Sequence, residues 1–148
     1  MRWRLRSADF VAYGKEGRVR RLAENVQNGI PVGILAYADG KPIGWCSIAS
    51  RDAYSALERN RALSPVDDAP VWSVVCFFVD RAYRRQRVTL GLLRAAVEYA
   101  ATKGAQVIEG YPVEPGPRLY TYMGSPTTFL NAGFRDVTPP CRERRIMR

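Results

Sequence analysis

The chain predicts an α/β domain built on a mixed, mainly antiparallel sheet with a central parallel strand pair, flanked by helices. Three observations carry that prediction. Two apolar segments, 32–38 and 43–49, flank Asp39-Gly40-Lys41-Pro42, the pattern of an antiparallel hairpin. Residues 71–79 are apolar at nearly every position, as a strand buried on both faces requires. A helical stripe and then another apolar segment, 106–113, follow it, and a crossover helix of that length is what parallel pairing needs.

Ser7 or Asp9 caps a first helix running to about Gln27, where Asn28-Gly29 supplies a left-handed end and Pro31 a stop. Any opening strand over 3–6 is brief. Residues 51–63 suit a short helix, and the following 64–70 a polar loop. In the crossover helix Val88, Leu92, Ala96, Val97 and Ala100 form one apolar stripe, closed by Lys103-Gly104. Beyond an irregular 114–126, a short helix over 127–132 leads to strands near 134–137 and 144–147.

With 148 residues and 47% hydrophobic content, residues 1–148 make one domain, large enough for a real core. No apolar run approaches the ~20 residues of a membrane helix. Arg2, Arg4 and Arg6 resemble the start of a signal peptide, but no apolar region follows, so a soluble, cytoplasmic protein with no membrane partner is expected. Cys46, Cys76 and Cys141 are odd in number and widely spaced, which gives neither a disulfide framework nor a zinc site, and no metal is expected. The absence of histidine removes the commonest general base and any Ser-His or Cys-His pair. The net charge of +9 is clustered: segments 1–21, 81–87 and 135–148 carry +5, +4 and +3, and the remainder −3. Such clustering fits nucleic acid or a polyphosphate ligand, but the aromatic residues fall mostly in apolar strands, which makes a nucleic-acid partner the weaker choice.

The positive charge peaks at Arg84-Arg85-Gln86-Arg87-Val88-Thr89, between a buried strand and the first turn of a helix. Unsatisfied backbone N–H groups, the positive end of the helix dipole and guanidinium groups converge there, the parts that hold a diphosphate. By composition alone the segment reads first as a solvated basic turn, and its placement between strand and helix favours the ligand site. It resembles the R/Q-x-x-G-x-G/A loop of the GNAT superfamily of acetyl-CoA-dependent N-acyltransferases, with Arg87 and Thr89 where small residues are usual. The resemblance continues through Leu92-Leu93, the strand over 107–113 and Phe129-Leu130-Asn131-Ala132-Gly133-Phe134. It covers 71–148 and, more weakly, 32–50.

That resemblance implies a GNAT-like fold and an N-acetyltransferase that moves an acetyl group from acetyl-CoA, its cosubstrate, to a primary amine of a small molecule or peptide. It places the diphosphate on the amides of Gln86, Arg87, Val88, Thr89 and Leu90, with Arg84 or Arg85 on phosphate oxygens, and the pantetheine arm on the late backbone groups Phe78 and Val79. Arg87 either obstructs the backbone's approach to phosphate or points outward and adds a contact. The family's usual tyrosine acid corresponds to Phe129, which leaves Tyr120 and Tyr122 as donors to the thiolate and Glu109 as the group assisting amine deprotonation, or a water chain in its place. Tyr54, Glu58, Asp67 and Asp68 lie before the cofactor strand, where carboxylates attract a cationic amine or simply form a solvated acidic loop. The short N-terminal sequence leaves the acceptor site open or completed by a second chain, a homodimer. The competing expectations are a non-catalytic acyl-CoA-binding module and a basic nucleic-acid-associated protein.

Overall fold

The computed structural model describes residues 2–114 and 121–148. Two helices come first, α1 (Ser7–Ala12) and α2 (Gly14–Gln27), where the sequence predicts one. Gly14, at φ +57°, takes a left-handed conformation that ends α1 at Tyr13. Across the break the Arg18 guanidinium donates to the Phe10 carbonyl at 2.7 Å and lies 4.1 Å over the Phe10 ring. Neither helix contains a buried residue, and Val11, Val19 and Val26 are exposed. Residues 3–6 form turns in place of a brief strand. No helix of the described residues is long and apolar enough to cross a membrane.

A four-stranded sheet follows in the order β1 (Ile34–Ala38), β2 (Lys41–Ser50), β3 (Val71–Val79), β4 (Val107–Gly110). The first two pairings are antiparallel and β3–β4 is parallel, the mixed sheet the sequence predicts. Asp39 and Gly40 have φ +48° and +75°, so the hairpin closes through a two-residue turn that pairs Ala38 with Lys41. The segment predicted as one helix over 51–63 is instead a 3₁₀ turn, Arg51–Ala53, a single turn of α3 (Ser55–Glu58) and a second 3₁₀ turn, Arg61–Leu63. Tyr54 at ψ 74° and Asn60 at ψ 100° leave the helical region and divide it.

The crossover helix, α4 (Val88–Thr102), and α5 (Pro126–Asn131) cover one face of the sheet. There Leu92, Leu93, Ala96 and Phe129 pack on Ile48, Val74 and Phe77. On the other face Tyr54, Leu57, Tyr111 and Ile146 pack around Ala49 and Val75. β4 stops at Gly110, short of the predicted 113, because Pro112 has no N–H to donate to a ladder. The predicted late strands reduce to isolated bridges from Met147 to Gly110 and Asp136, with Pro139-Pro140 between the two arms.

One irregularity positions the site. Ser47 pairs with Cys76 while the next residue, Ile48, pairs with Val74, so Val75 is the extra residue of a β-bulge. Side-chain alternation changes phase there: Val74 and Phe77 both belong to the α4 face, and Val75 to the opposite one. β4 pairs with β3 only from Val71 to Val74. Past the bulge, that edge of β3 has no strand partner among the described residues, and β3 is not buried on both faces to its end, since Phe78 is 56% exposed.

Candidate active site

The loop between β3 and α4 is built by its backbone. Asp80 accepts from the Ala82 amide at 2.9 Å and caps a 3₁₀ turn, Arg81–Tyr83, after which Arg84 is extended and Arg85 and Arg87 are left-handed, at φ +63° and +59°. Arg87 is the N-cap of α4 yet no side chain caps the helix. The first helical bond runs from the Gly91 amide to the Arg87 carbonyl (3.1 Å), so the N–H groups of Val88, Thr89 and Leu90 precede the ladder. No acidic residue occupies the first turn. This helix end therefore presents uncompensated positive charge. At Arg87 the backbone makes the left-handed turn for which glycine is usually needed, and the exposed side chain lines the cavity.

That conformation has a cost. An L-residue held left-handed is destabilised by roughly 1–2 kcal/mol, partly offset by the lower chain entropy of arginine in the unfolded state. Arg87→Gly is expected to raise stability by about 0.5–1 kcal/mol, measured as the urea midpoint at constant m value. An unchanged or lower midpoint would mean that the arginine side chain stabilises the turn through its contacts.

A cavity of about 610 Å³ opens over this loop, lined by Val79, Arg84, Arg85, Arg87, Thr89 and Arg94 among others. A second, of about 510 Å³, adjoins it and shares Val79, Arg84, Thr89 and Thr128. Together they form a groove from the α4 N-terminus along the open edge of β3 to Tyr122. The Asp80 amide donates to Ile43 on β2 (2.8 Å), so strand alternation turns the backbone of Phe78 toward β2 and that of Val79 and Phe77 to the open edge. The Val79 carbonyl accepts from Arg84 Nε at 3.2 Å, consistent with that direction. Phe77 and Phe78 both line the second cavity, and of the two it is Phe77 whose backbone groups are directed to the open edge. Gln86 sets the loop instead of lining the groove, its side-chain amide donating to the Ala82 carbonyl at 3.0 Å.

Tyr122 stands where the groove ends. It lines the second cavity and also a small one of about 60 Å³ on the other side, with Arg2, Arg4, Tyr54 and Cys76. Tyr120, its sequence-predicted alternative, lies outside the described residues. Tyr54 is fully buried, its hydroxyl 3.1 Å from Ser47 Oγ and within 3.5 Å of the Arg4 guanidinium. Burial pushes that hydroxyl up to about 12, against the lowering influence of Arg4 and Ser47, so it stays protonated. Burial likewise raises the Cys76 thiol. Tyr54 and Tyr122 thus line one cavity, while Asp67 and Asp68 are exposed and line none of it.

Glu109 has other company. It is 1% exposed, at the register position opposite Ser73. One carboxylate oxygen accepts from Arg148 (2.9 Å) and the other from the Tyr111 hydroxyl (3.0 Å), with Arg51 3.7 Å away. Arg51 also pairs with Glu58 at 2.6 Å, and Arg148 clasps Asp67 with two bonds of 2.6 and 2.8 Å. Those two bonds, and then the Ala69 amide, hold the Asp67 carboxyl down at about 2. Burial and the neighbouring Glu109 charge push the Tyr111 hydroxyl up. Phe129, the residue at the family's tyrosine position, is fully buried, stacked edge-on with Phe77 and Phe134 and pressed against Gly110, where an added Cβ would come within 1.9 Å of its ring.

Residues 2–122 match the Acetyltransferase (GNAT) family. No curated protein is similar to the chain at a significant level. Among solved structures, the fold is shared with the aminoglycoside N-acetyltransferase AAC(6')-Iy in complex with CoA, at 19% identity over 85% of this chain and 74% of that one, TM-score 0.56. It is shared too with apo AAC(6')-Ig from Acinetobacter haemolyticus (17% identity, 81% and 73% covered, TM-score 0.53). The PaiA N-acetyltransferase of Thermoplasma acidophilum, in complex with coenzyme A, is similar over 91% of this chain and 70% of its own, at 14% identity and TM-score 0.53. The matched span takes in the hairpin, the bulged β3, the basic loop and α4, and with them the chain belongs to the GNAT acetyltransferase family.

Proposed function

We propose that the protein transfers the acetyl group of acetyl-CoA to a primary amine by direct attack. The observation that carries this reading is the continuous groove: a cationic helix end with free amides at one end, an unpaired strand edge along its length, and a tyrosine at the other. Arg84 or Arg85 and the amides of Val88, Thr89 and Leu90 suit a diphosphate. The backbone groups of Phe77 and Val79 suit the amides of a pantetheine arm, which takes the place of an added strand. The bulge at Val75 then lies beside the thioester, and backbone N–H groups of the open edge meet the charge that develops on its oxygen as the amine attacks. The carbon–sulfur bond breaks, and the Tyr122 hydroxyl protonates the leaving thiolate.

Glu109 has a different part in this proposal. With both carboxylate oxygens held by Arg148 and Tyr111, it anchors β4, and the amine loses its proton to solvent. Buried Phe129 favours one second reading, an acyl-CoA-binding module without turnover.

The test is a thermal-shift titration with acetyl-CoA followed by thiol release with a panel of amines. Ligand at 100 times its dissociation constant is expected to stabilise the protein by ~2.7 kcal/mol. No shift at millimolar acetyl-CoA would overturn the reading, and a shift without thiol release from any amine would select the binding module.

A further inference from the structure

Resting on the acetyl-transfer reading, we propose that the acceptor is an amine bearing an anionic group, a carboxylate or a phosphate, which arginines beyond Tyr122 hold. Three cavities adjoin on the side of Tyr122 away from the basic loop. The small one beside Tyr54 contains Arg2 and Arg4, and one of about 250 Å³ contains Arg2, Arg144 and Tyr122. The third continues from it across Ser7, Ala56 and Asn60 to Arg6, Arg59 and Arg61. Among the described residues no Asp or Glu lines any of the three, and the sequence of 115–120 contains neither. Of the carboxylates next in sequence to lining residues, Glu58 pairs with Arg51, and Asp9 and Glu143 line none of the three cavities.

The physics of such a wall is one-sided. A polycationic amine gains no counter-charge and meets like-charge repulsion, whereas a carboxylate or phosphate gains charge-assisted bonds to guanidinium groups. The same positive charge disfavours the ammonium form of a bound amine. The arginines therefore supply the uncharged nucleophile in a chain that has no histidine and whose Glu109 is already paired. One arrangement accounts for recognition and for deprotonation.

The experiment compares glycyl-glutamate, O-phosphoethanolamine, glycinamide and spermidine as acceptors at saturating acetyl-CoA, and measures calorimetric binding of the two anionic probes to the coenzyme A-loaded protein. One or both anionic probes are expected to exceed glycinamide and spermidine in kcat/KM by at least about ten-fold, and which of them leads separates carboxylate from phosphate. In the double variant Arg2→Gln, Arg144→Gln that advantage should vanish, mainly through KM. The amine ionisation seen in kcat should move to higher pH, while coenzyme A affinity stays unchanged. Arg2→Gln alone, at an exposed position, should give part of the loss if the double variant folds poorly. Equal or better use of spermidine or glycinamide would overturn the assignment while leaving acetyl transfer intact. Failure of both anionic probes to bind the loaded protein would overturn it as well. Binding of an anionic probe, lost in the variants, with no acetylation of any amine would uphold the anion site and sink the transfer reading.

Discussion

Glu109→Gln is expected to destabilise the protein by about 3–5 kcal/mol, read as a fall in the urea midpoint, because it removes one partner of a buried ion pair and leaves the other charged. Arg51, only 8% exposed, and Arg148 both direct guanidinium groups at this carboxylate, and glutamine keeps its shape without its charge. The Tyr111 hydroxyl, which also contacts Ser73 at 2.8 Å and Arg51 at 2.9 Å, loses its charged acceptor at the same time. The effect should appear in stability and not in the pH dependence of turnover. A variant of unchanged stability with a shifted pH–rate profile would assign Glu109 the base's role instead.

Tyr122→Phe should lower turnover at least about ten-fold while leaving acetyl-CoA affinity within two-fold, since general-acid assistance commonly contributes ~10²–10⁴ in rate. Its position supports the choice: it lines both the groove along β3 and the cavities beyond it. Full turnover in the variant, with a verified acceptor, would transfer the role to Tyr120 or to solvent. Losses in kcat and in affinity together would mark Tyr122 as a wall of the groove and not as its acid.

The parts of this molecule that were legible in its sequence are those whose signals are local. β3 runs from Val71 to Val79 as predicted, and α4 begins at Val88, because an unbroken apolar run and a helical stripe announce themselves within a dozen residues. The basic loop was legible for the same reason, as a junction between two such elements. What was not legible depends on distant partners or on backbone conformations that the residue type does not signal. Arginine gives no hint of φ +59°, so the sequence left open whether the loop keeps its turn. The partners of Glu109 come from residues 51 and 148, which no periodicity connects to 109, so the sequence carries no sign of its buried ion pairs. The bulge at Val75 lies inside a segment so uniformly apolar that a change of phase leaves no mark on its pattern. That bulge is why Phe77, not Phe78, offers backbone to the groove.

The N-terminal helices bury no residue completely, whereas β3 and α4 hold the centre of the core. Elements with so few buried contacts are drawn from the low end of a protein's local stabilities, and α1 and α2 are expected to open in sub-global fluctuations that leave the sheet folded. Ser7 and Phe10, which line the cavity of about 250 Å³ beyond Tyr122, lie on α1. On the proposed reading, acetyl-CoA is held by the core elements β3 and α4, and part of the amine's wall by α1. On that reading the free energy of ordering α1 is set against acceptor affinity and not against acetyl-CoA affinity.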